Sequence, residues 1–207
     1  MNSWHIANHL LGFQEETHTY YVDGVKVPSV TQMLKVRFGH KYDGVPTDEL
    51  KKAAVQGIEV HRAIEDYCTS GKESDLIEVK NFKRLQRDQD FRVIGNEIPV
   101  ILFHTGQPIA AGRLDMLIEW KGLMGIADIK RTPQLDVDYL TYQLNLYRLA
   151  YWQSYETYIS ILRGIQLHED IAKLERIQVD EHIAWRLVHE YRRFMKNGEE
   201  NKSDIQT

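Results

Sequence analysis

The sequence is poor in cysteine, in proline and in long apolar runs. It has one cysteine, Cys68, in 207 residues. No disulfide can close within the chain, and no cysteine-based zinc or iron–sulfur site can form. A reducing cytoplasm is the simplest home for such a chain. The longest uninterrupted apolar stretch runs from Ile98 to Phe103. A bilayer span needs roughly twenty residues, so no membrane association is expected. The N-terminus lacks a basic region followed by an apolar core, which predicts a cytoplasmic protein rather than a secreted one. There are five prolines, no Pro/Ser-rich linker and no internal repeat. Charge of one sign is not in excess either: 26 Lys+Arg against 30 Asp+Glu leaves −4. That balance excludes a broadly cationic DNA-coating protein, but not a nucleic-acid enzyme whose basic residues line one groove.

What is present is an ordinary globular composition, 43% hydrophobic and 27% charged. A chain of this length fits one domain and buries roughly 70% of its unfolded surface without staples. Tyr20-Tyr21-Val22 and Val25-Lys26-Val27 flank Asp23-Gly24, the pattern of a tight hairpin. Ser29 can cap a short helix reaching Phe38. Leu50, Ala54, Gly57/Ile58, His61, Ile64/Glu65 and Cys68 recur at helical spacing and predict a helix over 47–70, capped by Thr47. A second helix turns Leu76, Val79, Phe82 and Leu85 inward. Its Lys80, Lys83, Arg84 and Arg87 read as a solvated face, with a phosphate-tracking role as the alternative. Strands are expected over 91–103, 109–120 and 123–130, then a helix over 137–154. Strands over 157–166 and 173–179 follow, and a last helix over 180–197 ends at Gly198. The polar remainder reads as a frayed tail. The fold class is α/β, a central mixed sheet flanked by helices.

The three central strands carry the chemistry. With Lys121-Gly122 as a two-residue turn, Asp115 opposes Asp128 and Arg113 opposes Lys130. With Thr105-Gly106-Gln107 as a three-residue loop, His104 opposes Pro108 and Glu97 opposes Asp115. Opposed residues share a face with Cβ atoms about 5 Å apart, so Glu97, Asp115 and Asp128 form a row. Lys130 joins that face because the strand period is two. Leu114, Met116, Ile118, Ala127 and Ile129 lie on the other, apolar face. Three adjacent carboxylates need a cation or a shared proton. Hard oxygen donors favour Mg²⁺ or Mn²⁺ over Zn²⁺. Metal-assisted phosphodiester hydrolysis fits this layout; a solvated sheet face with scattered charges is the plainer reading.

Gly112-Arg113-Leu114-Asp115 followed by Asp128-Ile129-Lys130 resembles the core of the PD-(D/E)xK nuclease superfamily. The likeness is greatest to the RecB-type nuclease domain and related phage exonucleases. Gly57-x-x-x-His61-x-x-x-Glu65 resembles the helical histidine motif upstream of that core. Asn96-Glu97-Ile98-Pro99 matches the preceding acidic strand, and Gln143-x-x-x-Tyr147 the motif on the following helix. Val27-Pro28-Ser29-Val30-Thr31 resembles the opening of phage members. The likeness spans about residues 13–165. Iron–sulfur relatives carry four cysteines, so that cluster is not expected here.

The resemblance implies a restriction-endonuclease-like core and specific roles. Asp115, Asp128 and the Ile129 carbonyl would ligate Mg²⁺ or Mn²⁺, with His61 at or near the metal. Glu97 would complete the acidic cluster or support a second metal. Lys130 would orient the attacking water, and Gln143 and Tyr147 would position the site or contact DNA. Arg113 would meet the scissile phosphate or neutralise the acids. From spacing alone, His61 and Tyr147 read as core residues. Glu65 is either the partner of His61 or a solvated acid. Tyr139, Tyr142, Tyr151 and Trp152 could stack on bases, though a buried helix face explains them more cheaply. His5 and His9 read as surface residues.

The organisation expected is a single nuclease domain over 1–207. A hairpin-and-helix appendage occupies 1–45, the core 46–198 and a flexible tail 199–207. The activity implied is a metal-dependent DNA exonuclease of phage recombination or replication, working in the bacterial host cytoplasm. DNA with a free end, a single-strand annealing or replication protein, and further copies of the chain are the partners implied. A structure-specific or nicking endonuclease of the same superfamily is one rival. A non-catalytic nucleic-acid-binding or scaffold protein is the other.

Overall fold

The computed structural model describes the backbone of residues 1–203 and the side chains of 1–41 and 43–197. The chain opens with β1 (Asn2–Ile6), β2 (His9–Gln14), β3 (Thr19–Val22) and β4 (Val25–Val27), paired in order as an antiparallel sheet. The expected hairpin is β3–β4, with Val22 opposite Val25 and Tyr20 opposite Val27. The β1–β2 hairpin was not foreseen, so the N-terminal segment is a four-stranded sheet and a helix rather than one hairpin and a helix. Its turn, Ala7-Asn8, holds φ of 48° and 65° without glycine, which hides the usual signal. His9 is not a free surface residue: its Nδ1 lies 2.6 Å from Asp23 Oδ2, tying β2 to the β3–β4 turn. Ser29 caps α1 (Val30–Phe38) through a complete capping box with Gln32. Next comes α2 (Thr47–Ser70), which Thr47 begins without capping; Pro46 precedes it. The following helix, α3 (Ile77–Gln89), buries Val79, Phe82 and Leu85 as expected.

A five-stranded sheet follows, in the order β5 (Phe91–His104), β6 (Gln107–Trp120), β7 (Leu123–Lys130), β8 (Ile161–His168), β9 (Ile171–Ile177). Only β7 and β8 run parallel, joined by the crossover helix α4 (Val137–Tyr155). The last helix, α5 (Glu181–Ser203), continues through Gly198 instead of stopping there, since one glycine is tolerated inside a helix. Residues 199–203 are therefore helical, and the rest of the expected tail, 204–207, lies outside the described residues. The fold class is α/β with a mixed central sheet. Among the described residues no helix is long and apolar enough to cross a membrane.

Three apolar layers hold these parts together. Leu102, Leu114, Leu117 and Ile126 pack against α1, α4 and α5. Met116, Ile118, Ala127 and Ile129 pack on the other side against α2 and α3. Ile101 and Ala111 pack under the N-terminal sheet, against Leu11, Phe13 and Tyr20. Leu114 and Leu117 face the same layer, so strict alternation fails between them. The expectation that Leu114 packs with Met116 and Ile118 is therefore wrong. Tyr142, Tyr147 and Tyr151 are buried, so the aromatic run of α4 is core, while Trp152 is exposed.

The free edge of β5 is closed by side chains of α4. Ser154 Oγ accepts from Ile101 N and donates to its carbonyl, at 2.9 and 3.2 Å. The Gln153 amide does the same at Phe103, at 2.8 and 3.0 Å. Tyr155 Oη donates to the Pro99 carbonyl at 2.6 Å. Each contact removes a place where another strand could add. Replacing Ser154 by Val would leave both buried Ile101 groups unpaired. A loss of about 2–3 kcal/mol is expected in urea unfolding.

Candidate metal centre

Two bulges and a parting of strands build the site. The β5–β6 turn is Thr105-Gly106 alone, with His104 opposite Gln107. The three-residue loop expected from the sequence is thus incorrect. Phe103 faces Pro108 while Leu102 faces Ala110, so Ile109 is an extra residue that restores the anticipated register beyond it. Asn96 then opposes Met116 and Ile98 opposes Leu114, which leaves Glu97 facing Asp115. Glu97 itself sits at φ 49°, a left-handed conformation costly for a glutamate inside a strand. On the other side, β6 and β7 pair only as far as Met116 and Ala127. Asp115 and Asp128 are the first residues past that point.

At the fork the two aspartates turn to different partners. Asp115 Oδ2 accepts from the Ile129 backbone N at 3.0 Å and lies 3.5 Å from His61 Nδ1 of α2. Asp128 is held from the α4 side: Gln143 Nε2 donates to its Oδ1 at 2.8 Å, and Lys130 Nζ lies 2.5 Å from Oδ2. The flat three-carboxylate row is therefore corrected. All three acids line one cleft of about 730 Å³, together with His61, Lys130 and Gln143. The compact group of donors is His61, Glu97 and Asp115, whose ligand atoms lie within 4.8 Å of one another. Asp128 stands beside that group, bound to Lys130.

Ile129 serves His61 through its carbonyl, which accepts from His61 Nε2 at 2.9 Å. A carbonyl only accepts, so Nε2 carries a hydrogen, and Nδ1 is the nitrogen turned towards Asp115. This is the usual way a backbone carbonyl orients a metal-binding histidine. The carbonyl expected as a metal ligand thus also orients His61. Glu65 lines the cleft and is not the hydrogen-bond partner of His61.

Arg113 rests on a wall that sequence reasoning missed. Its guanidinium lies 4.4 Å from the Phe13 ring centroid, and its Nε is 3.1 Å from Glu97 Oε2. Phe13, His18 and Tyr20 pack edge to face and tilted beside it. The alternation in β2 was the available signal. Tyr147 is buried in the same cleft, and burial followed by the charge of Asp115 raises its phenol well above its ordinary value. A Cβ on Gly112 would meet Tyr147 Cε1 at 3.1 Å, so the glycine lets that ring lie across β6.

Charge is poorly balanced here. Burial pushes Glu97 up to about 7, against the pull of Arg113 and with further push from Asp115 and Glu65. Burial and then Asp115 also raise Asp128, against Lys130. Burial opposes the Lys130 ammonium, but Asp128 and Asp115 hold it above its ordinary range. The Gln143 Oε1 atom is buried with no hydrogen-bond donor. One imidazole and two carboxylates, under-neutralised and close together, fit a divalent cation. Its binding requires Glu97 to lose its proton, so affinity for Mn²⁺ is expected to rise up to about tenfold per pH unit below 7 and then level off. Calorimetry in buffers of different ionisation enthalpy would detect the released proton; binding that is flat from acid to neutral pH would contradict this.

No protein-family model and no curated protein matches the chain. Among solved structures it is similar to the crystal structure of SSO0001, at a TM-score of 0.47 and 15% identity, over 81% of this chain and 76% of that one. That likeness is too distant to carry an argument.

Proposed function

We propose that the chain is a metal-dependent deoxyribonuclease of the PD-(D/E)xK superfamily, RecB-like, removing nucleotides from a DNA end. One observation carries this reading. His61, Glu97 and Asp115 gather at the fork of β6 and β7, beside the Lys130–Asp128–Gln143 chain. The residues that the resemblance singles out thus line one cleft, although they come from α2, three strands and α4.

A divalent metal held by His61, Glu97 and Asp115 would supply positive charge to the scissile phosphate and acidify a water. The protein does the rest. Lys130 Nζ, pinned by Asp128, holds a fixed positive charge where negative charge develops on phosphate oxygens. Gln143 positions the site by donating from Nε2 to Asp128 Oδ1. Arg113 of β6, braced on Phe13 of the N-terminal sheet, would face a phosphate oxygen. Water oxygen would bond to phosphorus and release its proton to solvent, while the phosphorus–oxygen bond to the leaving nucleotide breaks and the departing oxygen takes a proton from solvent.

The test is end-labelled linear duplex, linear single strand and closed circular DNA, each with Mg²⁺, Mn²⁺ or EDTA. Metal-dependent loss of linear forms and survival of circles is the expected result. Cut circles would favour an endonuclease. Intact DNA throughout, with folded protein, would overturn the enzyme reading.

A further inference from the structure

Glu97 and Asp115 of the donor group belong to the sheet, while His61 comes from α2. The spacing of the donors therefore depends on how α2 is docked. No residue of α2 ahead of Val60 is buried, and Val55 and Ile58 are exposed. Core packing of the helix begins at Val60 and continues through Ile64. The first half is held by a polar device instead. Arg131, the residue after Lys130, donates from Nη1 to Gln56 Oε1 of α2 at 3.2 Å. Its Nε donates to Glu78 Oε1 of α3 at 2.7 Å. The Glu78 side chain is 5% exposed, so a buried carboxylate anchors the guanidinium. Neither Arg131 nor Glu78 belongs to the donor group.

The end of β7 thus bonds α2 twice. The Ile129 carbonyl accepts from His61 Nε2, and Arg131 donates to Gln56. The two helix positions are five residues apart, about 7.5 Å along the axis. Together the bonds fix both the height and the rotation of α2 against the sheet. A buried ion pair is weak evidence for stability, since an apolar pair of similar volume serves as well. Its geometry is what counts here. A guanidinium is a rigid planar fork, so fixing one edge on α3 aims the other at α2.

We propose that Arg131 is a positioning residue: anchored on Glu78, it holds Gln56, and with it α2, at the height that brings His61 into the metal site. His61 Nδ1 lies 3.5 Å from Asp115 Oδ2. A metal shared by the two tolerates displacement of only about 0.5 Å. The proposal rests on the metal-centre reading of this cleft and deepens it; the identity of the substrate does not enter.

The test reads Mn²⁺ affinity by electron paramagnetic resonance and, by electron spin echo, the coupling of bound Mn²⁺ to a histidine nitrogen. Wild type should show that coupling and His61→Ala should lose it. Arg131→Met with Glu78→Met removes both charges and keeps the volume filled. This double variant should bind Mn²⁺ about tenfold more weakly and lose most of the nitrogen coupling, with its helical circular dichroism unchanged. Gln56→Ala leaves the buried pair intact. It should weaken Mn²⁺ binding about threefold and reduce the coupling, while the metal-free protein melts as wild type does. Gln56→Glu keeps an acceptor for Arg131 and should keep both readouts. If the double variant fails to fold, Gln56→Ala decides. Wild-type affinity and full coupling in Gln56→Ala, or no nitrogen coupling in wild type, would overturn the proposal. Coupling that depends on Gln56 in a protein that leaves all DNA intact would sink the nuclease reading and leave the positioning role standing. Cleavage by wild type, with full coupling in Gln56→Ala, would do the reverse.

Discussion

Replacing Asp115 by Asn is expected to abolish metal-dependent cleavage and, at the same time, to stabilise the metal-free protein. The two effects have one origin. Asp115 contributes to raising Glu97 and Asp128, so it adds negative charge to a site that already lacks compensation. An Asn oxygen can still accept from the Ile129 backbone N, so the local hydrogen bond survives. Removing the charge therefore costs little structure and relieves repulsion. The sign follows from Glu97, whose folded value of about 7 exceeds its ordinary 4.5. A raised carboxyl favours the protonated form when folded. The penalty is absent below about pH 4, grows as pH rises, and is complete above 7. At pH 8 the variant should gain roughly 1–2 kcal/mol, or about 2–8 °C in melting temperature. Cleavage should fall on the order of 10³-fold, since a bound metal supplies several kcal/mol of charge stabilisation. Added Mn²⁺ should raise the melting temperature of wild type only. Full activity in this variant, or a fall in its metal-free melting temperature, would contradict the site.

What the sequence disclosed depended on how local each cause was. The β6–β7 register was legible because Lys121-Gly122 is a two-residue turn with φ of 54° and 74°, set by four residues in a row. The Glu97–Asp115 pairing came out right through two compensating departures, a shorter turn and the extra residue Ile109. The Thr105-Gly106 turn was read one residue too long, and the bulge at Ile109 was not foreseen. Alternation placed the carboxylates on one face, yet the strands separate past Ala127 and deliver Asp115 to α2 and Asp128 to α4. Sheet periodicity contains no term for that separation. Spacing alone made His61 a core residue and only the resemblance singled it out, while the carbonyl that orients its ring lies 68 positions later in the chain. The Phe13 wall escaped because β1 and β2 are short and their turn has no glycine.

Lys130 and Asp128 permit the sharpest separation of folding from chemistry. Asp128 is 1% exposed, and its charge is balanced by Lys130 at 2.5 Å. Lys130→Met would strand that carboxylate in the interior beside Asp115. Breaking a buried pair by removing one partner costs about 3–5 kcal/mol. Part of this is recovered because Asp128, already raised by burial, takes up a proton, so the loss should shrink as pH falls. Asp128→Asn with Lys130→Met removes both charges and fills the stem volume, and should return stability to within about 1 kcal/mol of wild type. The coupling in a double-mutant cycle, read from urea unfolding at pH 8, should be about 2–3 kcal/mol. Cleavage behaves differently. The Lys130 variant and the stable double variant offer no cation to the phosphate, and Asp128→Asn leaves that cation unpinned, so each should lose on the order of 10²–10³-fold. Activity restored along with stability would make the pair a folding device. Stability restored without activity would assign the Asp128–Lys130 pair to the reaction.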